Sequence, residues 1–223
     1  MPRFFHDHLA FFRQFRERFE STGAIAPSSR FLARTLTEPL SNGKRPARVL
    51  EVGPGTGAVT QRIVRLLQPG DHFDLVELNP AFVKILRDKF RSDPAYSSAA
   101  EQAAVHQCPL QEFTAEQPYD FIISGLPLNN FPPELVQDIF ETFFRLLAPS
   151  GTLSYFEYMY FRPIRIVVGR RPDRERLRKL DSVIRPYLGR HRIRRDWVFA
   201  NLPPAWVQHL RPACKATLDR YTP

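Results

Sequence analysis

Three glycines and two acids stand at spacings that can hold a charged small molecule. A short apolar run, residues 49–52, leads into the glycines, which let the backbone turn sharply and approach a ligand closely. Glu51 lies near the end of that run. Glu77 ends the next apolar run, about twenty residues past the last glycine, where a nucleotide-binding βαβ unit keeps a ribose-binding acid. The three glycines are Gly53, Gly55 and Gly57. The pattern predicts a buried strand, a glycine turn and a helix capped by Thr56 or Thr60.

The charge beside this turn favours a cationic ligand. The spacing is G-x-G-x-G, not the G-x-G-x-x-G of nicotinamide-binding folds. A carboxylate at Glu51 would repel a pyrophosphate and attract a positively charged ligand. S-adenosylmethionine carries an ammonium and a sulfonium group and no phosphate. The stretch from Glu51 to Gly57 therefore resembles motif I of the class I S-adenosylmethionine-dependent methyltransferases, in which Glu77 matches the acid that grips both ribose hydroxyls. An ordinary strand-turn-helix with incidental glycines is the alternative interpretation.

Composition indicates one main domain with an anionic partner. The hydrophobic fraction of 43% is sufficient for a core in a chain of 223 residues. The formal net charge of +9 indicates nucleic acid or an anionic membrane surface as the partner, and a basic soluble enzyme is the alternative. Two cysteines do not form a disulfide framework, and their spacing with histidine matches no zinc site, so no metal is expected. With neither a signal peptide nor a spanning segment, a cytoplasmic protein is expected.

The N-terminal stretch Phe4–Phe19 predicts an amphipathic helix. Its aromatic residues recur at three- and four-residue steps and so share one face, while the opposite side is rich in arginine. Large aromatics opposite cationic side chains are typical of a helix lying in a membrane interface. A helix packed on the domain, with its phenylalanines in the core, is equally compatible. A turn-rich connector at 41–46 divides the chain into residues 1–45, an N-terminal helix and lid segment, and residues 46–223, the main domain.

Apolar periodicity over the main domain predicts alternating strands and helices, and therefore an α/β fold with a doubly wound, mostly parallel sheet. Strands are predicted at 49–52, 73–77, 103–106, 119–124, 152–158, 192–199 and 206–210. Helices are predicted at 59–67, 81–90 and 135–147, and from 174 up to Pro186, with a loop at 92–100. The connection 201–204 is too short for a helix, so the last two strands are expected to be antiparallel.

The loop after the fourth strand indicates the class of acceptor. Enzymes that methylate base amino groups carry an amide or acid there, followed by proline and an aromatic that stacks on the base. In this chain Ser124 or Gly125 stands at the position of the amide, and Leu128 stands at the position of the aromatic. A base would lose its stacking partner, worth about 1–3 kcal/mol. Phe131 is the nearest substitute, three residues late.

At this point the chain resembles the bacterial phospholipid N-methyltransferases, which are relatives of the ribosomal RNA adenine dimethyltransferases. The similarity covers most of the chain. It rests on the segments 23–29, 51–57, 124–128 and 201–205. It implies a seven-stranded sheet that ends in an antiparallel hairpin, with helices on both faces and an N-terminal helical extension. Where the RNA enzymes have Gly-Asp after the third strand, this chain has Gln107 and Cys108.

The resemblance also implies a set of cofactor-binding residues. These are Ser29, Arg30, Glu51, Gly53, Gly55, Thr56, Gly57, Glu77, Leu78, Gln107, Cys108, Pro109, Leu110, Ser124, Gly125 and Leu126. Tyr158 and Tyr160 follow the fifth strand and share one side if the strand continues, so they are predicted to contact a headgroup cation; surface and core tyrosines are the alternative. Five arginines could bind a lipid phosphate or form a solvated basic face. They are Arg30, Arg162, Arg165, Arg170 and Arg171.

Members of this family methylate the amine of phosphatidylethanolamine stepwise towards phosphatidylcholine, and a related branch methylates ornithine lipids. The resemblance implies the same activity here, with S-adenosylmethionine as donor and S-adenosylhomocysteine as product. It implies a monomer bound peripherally to the inner face of the cell membrane through the Phe4–Phe19 helix. An RNA adenine dimethyltransferase is the alternative, although Gly125 and Leu128 argue against a nucleic acid partner.

Overall fold

The structure is a seven-stranded sheet with helices on both faces. The computed structural model describes residues 30–159, 171–201 and 203–213. The chain enters through two short helices, α1 (Arg30–Leu36) and α2 (Glu38–Ser41), and continues into strand β1 (Arg48–Val52). The elements that follow are α3 (Thr60–Val64), β2 (His72–Val76), α4 (Pro80–Ser92), α5 (Pro94–Ser97), β3 (Ala103–His106), β4 (Tyr119–Ser124), α6 (Pro133–Leu146), β5 (Leu147–Tyr158), α7 (Arg171–His191), β6 (Arg192–Val198) and β7 (Ala205–Leu210). Single 3-10 turns lie at Ala100–Gln102, Leu110–Glu112 and Leu128–Asn130.

The strand order is β3-β2-β1-β4-β5-β7-β6. The first five strands are parallel, and β7 runs antiparallel to both of its neighbours. This confirms the predicted seven-stranded, mostly parallel sheet with a terminal hairpin. Because the parallel strands all end at one edge, the loops after β1, β2, β3, β4 and β5 meet there, which is where ligands bind in such sheets.

Each face of the sheet has its own apolar core. Side chains of α1, α3 and α4 pack on one face, for example Leu36, Ile63 and Leu86, all fully buried. Helices α6 and α7 cover the other face, where Phe140 and Leu180 are also fully buried. The part of the predicted N-terminal segment that the structure describes, α1 and α2, thus belongs to the same core as the sheet. The division of the chain at residue 45 stays a prediction.

Helix α7 continues through Pro186 to His191, so the predicted end at Pro186 was wrong. A proline inside a helix removes one backbone hydrogen bond and crowds the preceding turn. Packing on α6 offsets this cost, because the Tyr187 ring stacks on Phe140 and Phe144 with centroids 4.7 and 5.5 Å apart. The His191 ring lies 4.4 Å from that of Phe144. Tertiary contacts of the residues that follow the proline therefore keep the helix continuous.

Three further segments differ from the prediction. The segment predicted as a loop at 92–100 contains α5, which begins with Asp93 accepting a hydrogen bond from the amide of Ala95 at 2.9 Å. Strand β5 begins at Leu147, five residues early, and its pairing with β4 shifts register before Thr152. Helix α3 is shorter than predicted and ends at Val64.

A polar cluster around Asp74 links β2 to β3 and, across β1, to β4. Asp74 on β2 lies 2.6 Å from His72 Nε2 and 2.6 Å from His106 Nε2, and accepts a hydrogen bond from the Tyr119 hydroxyl at 2.6 Å. Burial alone would raise the pKa of Asp74, but these hydrogen bonds and the two imidazoles lower it below its ordinary value. Strands β2, β3 and β4 are therefore held in fixed register beneath the loops that form the site.

Within the three described ranges, no helix combines the length and the apolar character needed to cross a bilayer. In the same ranges, no cluster of His, Cys, Asp and Glu side chains is arranged to hold a metal ion.

Candidate active site

The glycine turn lies at the carboxyl edge of the sheet, between β1 and α3. All three glycines have positive φ: 67° at Gly53, 57° at Gly55 and 88° at Gly57. A residue with a side chain is strained in this region, which explains the glycine triplet. The Gly53 amide donates to the Val76 carbonyl at 3.0 Å, so the turn is fastened to the end of β2.

Neither threonine caps the helix after the turn, so this part of the prediction was wrong. The residue preceding α3 is Val59, and no side chain accepts a hydrogen bond there. Thr60 is the first residue of the helix and fully buried, and Thr56 is exposed in the turn, where its carbonyl accepts from Lys89 Nζ at 2.7 Å. The α5 segment braces the turn instead, because the buried Tyr96 hydroxyl donates to the Gly57 carbonyl at 3.1 Å.

Glu51 is buried directly beneath the turn. It is 1% exposed, and neither carboxylate oxygen has a hydrogen-bond partner among the residues that the structure describes. Burial raises the pKa of Glu51 to about 8; the neighbouring Glu77 adds to the shift, and Thr60 opposes it in part. A buried carboxylate without a partner is costly to fold, and a cation or hydrogen-bond donor placed beside it removes that cost. The geometry fits a positively charged ligand.

Glu77 stands just past β2 and faces the same turn. Its Oε2 accepts from the Gly55 amide at 3.0 Å, and its Oε1 accepts from the Asn79 amide at 2.8 Å. Burial raises the pKa of Glu77, although the backbone amides of Asn79, Gly55 and Leu78 counteract the shift. Each oxygen of a carboxylate can accept a further hydrogen bond, so two hydroxyl donors can bind the same side chain. This is the geometry that a ribose diol requires.

The loop after β4 packs directly against the glycine turn. The Gly125 amide donates to the Val52 carbonyl at 2.8 Å, and a Cβ added to Gly125 would lie only 2.6 Å from the Gly53 carbonyl oxygen. A Cβ added to Gly53 would in turn lie 2.5 Å from Leu126 Cδ2. Ser124 is fully buried, and its Oγ accepts from the Leu126 amide at 3.3 Å. The predicted residues of this loop and of the turn are therefore in contact.

The loop after β3 adjoins Glu77. The Glu77 amide donates to the His106 carbonyl at 3.0 Å, after which the chain passes Gln107, exposed, and Cys108, half-buried. Burial raises the pKa of the Cys108 thiol, and Glu112 adds to the shift. Pro109 is half-buried, Leu110 is buried, and Leu78 beside Glu77 is half-buried.

The remaining predicted residues lie in other parts of the chain. Tyr158 ends β5, half-buried, with its ring edge-on to Phe156 at 5.3 Å, and burial raises the pKa of its hydroxyl. Arg30 opens α1, exposed, with its guanidinium 4.9 Å from the centre of the Phe31 ring. Several predicted positions lie outside the described residues: Phe4–Phe19, Ser29, Tyr160, Arg162, Arg165 and Arg170. Of Arg171 only the backbone is described.

Two residues near the site were missed in the sequence. Tyr96 lies in a segment predicted to be a loop, and no pattern indicated its contact with Gly57. Asn129 is 5% exposed in the 3-10 turn after β4, and its Oδ1 has no hydrogen-bond partner in the described part of the chain. The sequence signal that could have identified Asn129 is its amide side chain, two residues after Pro127.

Comparisons with known proteins agree with this architecture. Residues 49–151 match a family model described as a methyltransferase domain. The chain is 32% identical over 155 residues to an ornithine lipid N-methyltransferase of Singulisphaera acidiphila, covering 69% of this chain and 79% of that protein. A ribosomal RNA small subunit methyltransferase A of Parasynechococcus marenigrum is 45% identical over 64 residues, but these cover only 29% of this chain and 20% of that protein.

Solved structures share the fold. An O-methyltransferase from Bacillus cereus in complex with S-adenosylhomocysteine superposes with a TM-score of 0.61 at 15% identity, covering 91% of this chain and 90% of that one. The chain belongs to the class I S-adenosylmethionine-dependent methyltransferases, and S-adenosylmethionine is its methyl donor. Within that class it belongs to the bacterial lipid N-methyltransferase family that includes the Singulisphaera protein.

We expect S-adenosylmethionine binding to expel a proton from Glu51. With a pKa of about 8, Glu51 is mostly protonated at pH 6.5, and a cationic ligand favours the carboxylate form. Calorimetry at pH 6.5 in two buffers of different ionisation enthalpy should detect release of close to one proton. Affinity should rise by up to about tenfold per pH unit towards pH 8. Glu51→Gln should abolish both effects; identical proton release in the variant would contradict a contact with Glu51.

The same shift contributes to the pH dependence of the ligand-free fold. Between pH 4.5, the ordinary value for Glu51, and about 8, Glu51 keeps a proton in the folded chain that it has released in the unfolded chain. The contribution of Glu51 to the free energy of unfolding therefore falls as pH rises through this window.

We expect Gly125→Ala to separate the two loops of the site. The new Cβ meets a backbone carbonyl, so we predict a loss of about 1–3 kcal/mol in the free energy of unfolding and weaker S-adenosylmethionine binding. Gly189→Ala in α7 is the matched control, because its Cβ has nothing within 4 Å and alanine should add about 0.5–1 kcal/mol. Urea unfolding and ligand titration of both variants test this. If both variants had the same free energy of unfolding, the close contact of Gly125 with Gly53 would not contribute to stability, and the prediction would be wrong.

Proposed function

We propose that this protein transfers methyl groups from S-adenosylmethionine to the primary amine of a membrane lipid headgroup. Phosphatidylethanolamine, methylated stepwise to phosphatidylcholine, is the first candidate acceptor. Ornithine lipid is the second, and the similarity to the Singulisphaera protein favours it. Both candidates are acyl lipids that present an amine at the membrane surface. The observation that carries the proposal is the loop after β4, which lacks the groups that hold a base.

The geometry of that loop supports a lipid amine over an RNA adenine. Leu128 stands where base-methylating enzymes have their stacking aromatic, and it is 1% exposed. Phe131, the substitute that the sequence suggested, is fully buried in the core and so has no free face for a base. The loss of stacking, about 1–3 kcal/mol, leaves a flat acceptor weakly held. A small amine needs no such platform.

The residues of the proposed donor site would have separate roles. The glycine turn and Glu77 would hold the nucleoside, and Glu51 would face the cationic end of the donor. When bound, S-adenosylmethionine supplies a methyl group on a sulfonium, which is transferred by in-line displacement. The protein's contribution to such a step is alignment, since no acid or base has to act on the donor. The contact between Gly53 and Gly125 supports this, because it ties the donor site to the loop of the acceptor.

The acceptor amine must arrive neutral, with its lone pair directed at the methyl group. The Asn129 Oδ1 atom is a buried acceptor without a partner among the described residues, and it could orient the amine by accepting an N–H. Positive charge builds on nitrogen during transfer, and aromatic faces stabilise such cations by about 0.5–2 kcal/mol. We assign this role to Tyr158, and to Tyr160 if it follows on the same side. After the first two transfers the excess proton is lost to water; after the third the charge is permanent.

Membrane attachment is part of the same proposal. The net charge of +9 supports binding to an anionic surface, and the Phe4–Phe19 segment has the composition of an interfacial helix. We propose a monomer that rests peripherally on the cytoplasmic face of the membrane, with the arginines around residues 162–171 near the lipid phosphate.

Methyl transfer to defined acceptors tests the proposal. The full chain is supplied with methyl-labelled S-adenosylmethionine and one of three acceptors: vesicles of phosphatidylethanolamine with an anionic lipid, vesicles containing ornithine lipid, or ribosomal RNA. We expect label in a lipid, and the labelled lipid names the substrate. Glu51→Gln should remove the label and serves as the control for contaminating activity. Label in RNA alone would refute the proposal.

We expect Tyr158→Leu to slow methylation most at the last transfer. Loss of the ring should lower kcat/KM by about 2- to 30-fold, and partly methylated lipid should accumulate because only the final product has a permanent charge. Tyr158→Phe is the matched control, since it keeps the aromatic face and should retain the product ratio. Chromatography of the labelled lipids measures this ratio. Equal product ratios in Tyr158→Leu and Tyr158→Phe would show that the ring is not a cation contact.

A further inference from the structure

The β6–β7 hairpin carries an exposed aromatic cluster. Phe199 is 68% exposed and Trp197 is 48% exposed, and their rings stack with centroids 5.6 Å apart. Trp206 on β7 packs edge-on to Trp197 at 5.8 Å. Large aromatic rings held together in contact with water are unfavourable in a surface that has no partner.

Strand register locates this cluster at the edge of the sheet that bears the site. Trp197 pairs with Trp206, and Trp206 pairs with Glu157 near the carboxyl end of β5. The Met159 amide also donates to the Pro204 carbonyl at 2.8 Å, which joins the hairpin to the segment after β5. The parallel strands β1, β4 and β5 end at this same edge, where the glycine turn and the loop after β4 lie. The aromatic cluster and the candidate active site therefore lie at the same edge of the sheet.

One arginine contacts two of the aromatic rings. The Arg195 guanidinium lies 5.5 Å from the centre of the Trp197 ring and 5.3 Å from that of Trp206. Arg195 is itself exposed on β6. Indole rings prefer the boundary between hydrocarbon and water, and each basic side chain near an anionic bilayer contributes about 1 kcal/mol of attraction. The combination is complementary to an anionic lipid surface.

We propose that Arg195, Trp197, Phe199 and Trp206, here named the hairpin surface, insert into the headgroup layer of an anionic phospholipid bilayer. The inference rests on the proposed function, since an enzyme for lipid amines must turn its acceptor opening towards the membrane. The hairpin surface would be a contact separate from the Phe4–Phe19 segment. It would set the orientation in which the edge of β4 and β5 meets the headgroups.

Tryptophan fluorescence tests the hairpin surface alone. The chain has two tryptophans, and both belong to the hairpin. Trp206→Phe therefore leaves Trp197 as a single reporter in the full chain. On vesicles of phosphatidylcholine and phosphatidylglycerol, we expect its emission to shift to the blue and to be quenched when the phosphatidylcholine carries brominated acyl chains. Unchanged emission from protein that co-sediments with the vesicles would overturn the proposal, because binding would then occur elsewhere.

Paired serine variants measure the contribution to binding. Trp197→Ser combined with Phe199→Ser should weaken partitioning onto these vesicles by about tenfold or more. The control is Ile193→Ser, because Ile193 is 53% exposed on the same strand but at the opposite end, and this variant should partition like the wild type. All of these side chains are exposed, so S-adenosylmethionine binding and the thermal unfolding midpoint should not change. Equal loss in both variants would overturn the proposal, and so would a change in oligomeric state without a change in partitioning.

Failure of the hairpin surface to insert and failure of the enzyme to methylate a lipid are measured separately. The vesicles contain no amine acceptor and the assay involves no methyl transfer, so insertion of Trp197 is measured whatever the substrate is. Insertion without methylation of any lipid would refute the proposed function and leave the hairpin surface supported. Lipid methylation with a solvent-exposed Trp197 would do the reverse.

Discussion

A buried carboxylate that has no counterion among the described residues is the constraint on which the candidate active site depends. Glu51 lies at the end of a central strand, beneath a turn whose three glycines leave no side chain to satisfy it. Desolvation of the acid makes the ligand-free fold less stable than a neutral residue would, and the cationic donor that we propose for this position would offset that cost. The rest of the edge is consistent with this: Glu77 is already oriented by two backbone amides, and Tyr96 fixes the far end of the turn. Binding then completes an arrangement that folding has prepared.

The glycine turn and the loop after β4, which we propose as the donor and acceptor sides of the site, form one packed unit. The loop after β4 contacts the glycine turn through backbone atoms, and Asp74 holds strands β2, β3 and β4 together below both. Alignment is the main demand of an in-line displacement, and small displacements of the reacting atoms are costly. A rigid connection between the two loops meets this demand without a moving part in the described region.

The fold could be predicted from sequence because strands that are buried on both faces are continuous apolar runs, as at 119–124, and turns such as 53–57 are marked by glycine. The acids proposed for the donor site stand out in the sequence for the same reason, since a carboxylate inside an apolar run is conspicuous. The rest depends on contacts between distant segments. Pro186 stays inside a helix because Tyr187 packs on α6, and neither Tyr96 nor Asn129 has a local pattern that indicates its partner or its burial. The sequence showed only that Gly125 stands where an amide side chain could be expected. The structure explains why the residue is glycine, because it lies close to Gly53.

The close approach of Gly53 and Gly125 also has an evolutionary consequence. A lineage that changes its acceptor cannot do so at these two positions, because any side chain there would push the donor turn apart. If the acceptor is held as we propose, variation has to enter beyond them, from Leu128 onwards, at the end of β5 or on the hairpin. Enzymes of this architecture can therefore acquire new acceptors while their donor chemistry stays unchanged, and a designer who wishes to alter the substrate of this chain has the same positions available.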